Sequence, residues 1–227
     1  MKAYPGSPFG KKLQYEEFPK SKFGSGGRSA AACSTPAFTA FTEVDSNGRL
    51  TVAATQVTFT ALENNDPATY LYYDQGAGYF TDFIHRFKLY IGSIAGQSIV
   101  LPLSLSVGAN HTHNDKEVAS DGLTFGVQRT GGPGYYLWIL DYTNSNLDLT
   151  ADYGAMVAFT RWIEIERSGT TLTAKIYTDA FSTVEDTLTI VCNNTAQRYI
   201  TAPGSCEYPV PAGQVVTGYI ADLNLCA

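Results

Sequence analysis

The chain has 227 residues, a net charge of −6 and 44% hydrophobic residues, enough to bury a sizeable core and most simply organised as one domain with an appendage. No stretch nears the roughly eighteen consecutive apolar residues that a membrane-spanning helix needs, so a helical membrane protein is excluded. Fifteen Tyr, 21 Gly and 10 Pro suit pleated strands punctuated by turns.

Charge is split along the chain. Residues 1–28 hold six Lys and Arg against Glu16 and Glu17, a net of +4, which leaves −10 on the remainder. Residues 1–32 therefore read as an extended basic arm ahead of a domain over 33–227. Tyr4, Phe9, Tyr15, Phe18 and Phe23, with Lys11 and Lys12 among them, read as anchors laid along a surface. A plain flexible linker would not leave so many large apolar groups in water. The arm is expected to dock on another protein or on a second copy of the acidic body. Nucleic acid is not expected, because the arm lacks a dense Lys/Arg run and the body repels phosphate. The first thirty residues have no apolar run of the secretory kind, so the expectation is a protein made in the cytosol.

From Ala37 the period is that of strands. Phe38–Val44 and Arg49–Ala53 flank Asp45-Ser46-Asn47-Gly48, a hairpin signal. Gln56–Ala61, Ala68–Asp74 and Tyr79–Ile91 follow, and Ile99–Val107 is apolar enough for a strand covered on both faces. Gly108–Ser120 reads as a polar, solvated loop. Then come Leu123–Arg129 and Tyr135–Tyr142, joined by Gly131-Gly132-Pro133-Gly134, and Met156–Arg167 paired with Thr170–Thr178. Thr187–Cys192, Gln197–Ile200 and Val215–Leu225 complete the set. No helical period is sustained, so the fold class is all-β, a two-sheet antiparallel sandwich.

The stretch Arg161–Asp179 can be set in register. With Ser168-Gly169 as the loop, Ile165 faces Leu172 and Ile163 faces Ala174, giving one apolar face with Ile176. Glu164 and Glu166 fall on the polar face, with Glu164 diagonal to Lys175.

This Trp162-Ile163-Glu164-Ile165-Glu166 hairpin resembles the Trp-led strand pair of laminin-G-like domains in the concanavalin A-like lectin/glucanase superfamily. Phe80–Phe87, Leu123–Val127 with Tyr135–Leu140, and Val216–Leu223 resemble that superfamily's early, middle and closing strands. The resemblance covers about residues 38–226 and implies a jelly-roll sandwich; lectins, glycanases, adhesive modules and virion proteins share it.

Glucanases of this superfamily carry three alternating acids on one strand. Here Trp162 stands in the first place, and Lys175 and Thr173 balance Glu164 and Glu166, so no catalytic residue is assigned. His111 and His113, with Asp115 nearby, could approach a metal, but a lone pair of histidines in a polar loop lacks a defined third ligand and no metal site is assigned. Asp74 and Asn64-Asn65-Asp66 could supply calcium oxygens without forming a clear motif; no cofactor is expected. Cys192 and Cys206 flank a loop and could pair, although small buried hydrophobes explain them as well. Tyr135, Tyr136 and Trp138 are the candidate ligand-binding residues, because aromatic faces stack on sugar rings. The leading functional expectation is a non-enzymatic assembly protein, a virion component anchored by its arm. The alternative is a carbohydrate-binding module, and a glucanase is more distant.

Overall fold

The computed structural model describes residues 35–64, 69–155, 157–206 and 213–225. The arm residues Tyr4, Phe9, Lys11, Lys12, Tyr15, Phe18 and Phe23 lie outside this set. In chain order the elements are β1 (Thr42–Val44), β2 (Leu50–Val52), β3 (Gln56–Glu63), β4 (Tyr70–Asp74), β5 (Phe83–Ile94) and β6 (Ile99–Ser106). The helix α1 (His113–Ala119) is followed by β7 (Leu123–Arg129), β8 (Tyr135–Asp141), β9 (Asn146–Leu149), β10 (Phe159–Ser168) and β11 (Thr171–Tyr177). The last strands are β12 (Val184–Val191), β13 (Tyr199–Ser205) and β14 (Val215–Asn224).

Two seven-stranded antiparallel sheets result. The first runs β1-β4-β13-β6-β7-β8-β9 and the second β12-β11-β10-β5-β14-β3-β2. Alternate residues of facing strands fill the space between them. Phe87, Leu89, Ile91 and Ile163 from the second sheet meet Phe125, Val127, Leu137 and Ile139 from the first, and all are buried. The rings of Phe87 and Phe125 pack edge to face across the core at 5.9 Å. Each such side chain contributes about 1.5–3 kcal/mol of burial. The all-β sandwich expected from the strand period is the observed fold.

Three local expectations change. The turn at Asn47-Gly48 forms, with Gly48 at φ +64, yet it closes no hairpin: β1 pairs with β4 in one sheet and β2 with β3 in the other. The Asp45 carboxylate accepts the N–H groups of Arg49 at 2.8 Å and Leu50 at 2.7 Å, replacing a partner strand while the chain changes sheets.

The β10–β11 hairpin sits two residues along from the expected register. Ile163 faces Ile176 and Glu164 faces Lys175 directly. Gly169 has φ +58 and is the first loop residue rather than the second, as glycine-led two-residue loops favour. A shift of two keeps every side chain on its face, so the apolar face survives the error.

Gly108–Ser120 is not a solvated loop. Thr112 and Asp115 form a reciprocal capping box that starts α1, and His111, Thr112 and Lys116 are buried. The segment lies on the outer face of the first sheet and supplies the second cover that the apolar run of β6 implied.

Candidate functional site

Because Leu123, Phe125 and Val127 of β7 and Tyr135, Leu137 and Ile139 of β8 point into the core, their alternates face outward. On that outer face Gln128 and Arg129 at the end of β7, Thr130, Trp138 and Leu140 of β8, and Leu147 of β9 line a groove of about 440 Å³. An adjoining hollow of about 300 Å³ shares Gln128, Thr130, Trp138 and Leu147 and extends over Tyr136 and Leu149. The two make one continuous trough running to the β9 edge of the sheet. Leu147 and Leu149 are 54% and 46% exposed, an unusual pair of wet leucines on a short edge strand.

Trp138 is the floor of the trough. A Cβ on Gly126 would lie 2.1 Å from its Cζ2, so only glycine on the neighbouring strand lets the indole lie down. The ring is 4% exposed, and its buried Nε1–H has no hydrogen-bond partner among the described residues. A buried indole N–H ordinarily finds an acceptor.

The 108–121 segment forms one wall. His113 packs edge-on to Trp138 at 6.2 Å and hydrogen-bonds through Nδ1 to the Tyr142 hydroxyl. Glu117, one turn on, puts a 58% exposed carboxylate 3.8 Å from His113 Nε2. Burial holds the His113 imidazole below its ordinary range; Lys116 adds to the effect and Glu117 opposes it. Burial also pushes the Tyr142 phenol far above its usual value. Lys116 is fully buried, and burial brings its amine down to about 7 against the pull of Asp115 and Asp121; its Nζ reaches the Thr112 carbonyl at 3.4 Å. The wall thus presents a neutral imidazole and one exposed carboxylate.

The candidate aromatics divide by strand parity. Tyr136 and Trp138 line the trough, whereas Tyr135 points into the core, stacked on Phe159 at 4.9 Å and Tyr153 at 5.1 Å. Consecutive strand residues face opposite ways, so the three do not share a surface. Gln128, Gly126, Leu147 and Glu117 are not among the sequence candidates, and His113 is among them only as a possible metal ligand; the signal for Gly126 is a lone glycine inside a strand, which marks close approach.

The remaining candidates are engaged elsewhere. Glu164 lies on the outer face of the second sheet and is buried rather than solvated. Arg86 Nε donates to its Oε2 at 2.7 Å and Lys175 Nζ to its Oε1 at 2.8 Å. Burial raises its pKa, but the hydrogen bonds and charges of Lys175 and Arg86 outweigh that and hold the carboxyl below its usual range, the reverse of a general acid. His111 stacks on Tyr72 at 4.1 Å and bonds Thr201 Oγ1 at 3.1 Å, while Asp115 accepts the backbone N–H of Thr112. These residues therefore serve as packing and cap. Among the described residues no cluster of His, Cys, Asp or Glu has the makings of a metal site. Asn64 bridges the Gln97 carbonyl and the Ile99 N–H, and Asp74 forms a two-pronged pair with Arg198; Asn65 and Asp66 lie outside the described residues. Cys192 and Cys206 are both buried, with no disulfide between them.

No protein-family model matches the chain, and comparison with curated proteins gives no match. Solved structures do match in shape. A functionally unknown protein from Saccharomyces cerevisiae has a TM-score of 0.56 at 12% identity, over 84% of this chain and 98% of that one. The exoplasmic/lumenal domain of VIP36, bound to Ca2+ and Man3GlcNAc, has a TM-score of 0.54 at 10% identity, over 80% and 83%. An alginate lyase from Alteromonas sp. 272 has a TM-score of 0.51 at 10% identity, over 81% and 92%. The chain therefore has the fold of the concanavalin A-like sandwiches.

Proposed function

We propose that the protein is a glycan-binding β-sandwich whose outer trough on the first sheet holds an uncharged sugar chain. The observation that carries this reading is the trough itself: an apolar floor of Trp138, Leu140 and the exposed Leu147, flanked by the amide of Gln128, the hydroxyl of Thr130 and the carboxylate of Glu117. Sugars pair apolar ring faces with a rim of hydroxyls, and this lining matches both. Neutral chains fit better than acidic ones. Arg129 commits Nε to the Gly132 carbonyl and Nη1 to the Ile94 carbonyl, whereas Glu117 is exposed at the wall and the whole chain carries −6. The fold neighbours lend general support, since VIP36 is bound to a mannose glycan and others are alginate lyases. The assembly reading, a virion component anchored by its arm, rests on residues outside the described set, and nothing in the fold or its neighbours favours it.

A glycan array probed with the wild type and with Leu147→Arg tests the proposal. Leu147 is exposed, so its replacement leaves the fold intact while filling the trough with a charged side chain. Binding to one or more neutral glycans is expected, weaker than half-maximal for alginate, and reduced about tenfold or more by the variant, the loss of roughly 1.4 kcal/mol of contact. Binding that the variant leaves unchanged contradicts the trough as the site.

A further inference from the structure

We propose that the outer face of the second sheet is the interface of a symmetric dimer of this chain, in which Lys88 of each copy pairs with Glu166 of the other. Phe87, Leu89 and Ile91 of β5 and Ile163 and Ile165 of β10 point into the core. Their alternates, Arg86, Lys88 and Tyr90 with Trp162, Glu164 and Glu166, therefore point outward. Tyr219 of β14 joins them, stacked on Tyr90 at 5.0 Å. Tyr90, Trp162 and Tyr219 are half-buried, so three neighbouring strands each leave one large ring partly wet. Rings of this kind are enriched at protein interfaces. A fourth ring is held on the face at some cost. Phe181 has φ +63, a left-handed conformation worth about 1–3 kcal/mol of strain in a bulky residue. The Asp179 carboxylate fixes this turn by accepting the N–H groups of Ser182 at 3.0 Å and Thr183 at 2.8 Å. The ring is thereby set edge-on to Tyr177 at 5.5 Å and 5.1 Å from the Arg86 guanidinium.

The charges select the partner. Glu164 is shared by Arg86 and Lys175. Lys88 and Glu166 have no ion-pair partner among the described residues, and the Lys88 ammonium meets the Trp162 and Tyr219 rings instead, at 5.6 and 5.8 Å. In the ladder Trp162 lies beside Lys88, Glu164 beside Arg86 and Glu166 beside Ile84. The two lone charges, opposite in sign, thus stand about 13 Å apart along the strands, with the Arg86–Glu164 rung midway. A two-fold axis over that rung, lying in the plane of the face, sets Lys88 of each copy on Glu166 of the other. Such self-complementarity fits a second copy, because a two-fold contact meets residue i with j and j with i. A uniformly acidic partner would oppose Glu166, and a uniformly basic one Lys88. Six strands from β12 to β3 and seven residues along β5 give a face of about 25 by 20 Å. Two copies bury about 1,000 Å² between them, the lower bound for a specific contact, so the dimer is reversible. It turns the two first sheets away from each other, and the two troughs open on opposite sides. Bivalent glycan binding then rests on the reading above; the dimer does not.

Sedimentation equilibrium of the full chain, without sugar, tests the interface. A monomer–dimer equilibrium in the micromolar range is expected, weakening as salt is raised. Lys88→Glu and Glu166→Lys each set like charges together twice and are expected to weaken dimerisation about tenfold or more, while the double variant restores it to near the wild-type value. Thermal unfolding identifies a variant that fails to fold, and the other single variant then carries the comparison. A monomer at every concentration overturns the proposal, as does a dimer insensitive to both single swaps or a double variant no better than either. A chain that dimerises only once residues 1–32 are deleted overturns it in favour of the arm as the occupant of this face.

Discussion

Lys116→Met is expected to raise the free energy of unfolding at pH 7, by up to about 4 kcal/mol, with an upward shift in thermal midpoint. Lys116 is the one lysine in the segment over the first sheet and is sealed from solvent. Its ammonium has the Thr112 carbonyl at 3.4 Å, with Asp115 and Asp121 acting at longer range. Burial brings its pKa from 10.5 to about 7. The unfolded chain therefore binds more protons between those values, and stability falls as pH falls from 10.5 to 7. Three and a half units correspond to nearly 5 kcal/mol, of which most is already lost at neutral pH. Methionine fills a similar volume without the charge, and exchange of a poorly compensated buried ion for an apolar group is commonly stabilising. Urea unfolding of the two proteins at pH 7 and pH 10 checks this: the advantage of the variant should shrink at the higher pH. A variant less stable than the wild type at both would show that the ammonium is well paired.

The second large effect comes from acid. His85 is buried between Phe80 and Phe83, stacked on the latter at 4.3 Å, and its Nδ1 faces the Leu225 carbonyl at 3.2 Å. Burial takes it from 6.5 to about 4; the carbonyls of Ile84 and Leu225 oppose this and the Arg167 charge adds to it. His111, in its cage of Tyr70, Tyr72 and Tyr199, also falls to about 4, through burial first and then the Lys116 charge, against Asp115. Both are neutral in the folded protein and charged in the unfolded one between pH 6.5 and 4. The histidines' share of the stability is thus complete above 6.5, falls through that window and levels off below it, by about 3 kcal/mol per histidine. The paired carboxylates act lower. Asp74, held near 2 chiefly by its hydrogen bonds from Arg198, and Asp179, held near 2 by those from Thr183 and Ser182, lose their contribution only below about 3.8. Unfolding followed at half-unit steps from pH 7 to 3 should show the histidine loss first, and His111→Gln should remove its share. A flat profile down to pH 4 would contradict the burial of both rings.

Much of the scaffold was legible because it depends on period two. Ile163, Ile165, Leu172, Ala174 and Ile176 declare a core face whatever the register, which is why a two-residue slip in the β10–β11 hairpin left each face intact. The apolar run of β6 announced cover on both faces without saying what the second cover was. The site was less legible for reasons of distance. Glu164 is buried because Arg86, 78 residues away, reaches it from the next strand. Trp138 lies flat because the residue across from it is Gly126. The helix α1 is too short for a visible helical period; its capping pair, Thr112 and Asp115, could be read, but not the sheet on which Lys116 would be buried. Parity alone could have separated Tyr135 from Tyr136 and Trp138.

The claim that sugar binds in the trough of the first sheet has a built-in reporter, because the chain has two tryptophans on opposite outer faces. Trp138 floors the trough, and Trp162 lies on the second sheet with the Lys88 ammonium 5.6 Å from its ring. In a proton–nitrogen correlation spectrum of the labelled protein, a neutral oligosaccharide that binds on the array should move the Trp138 indole signal and leave the Trp162 signal in place. Movement of Trp162 alone, or of neither while the sugar binds, would contradict the account.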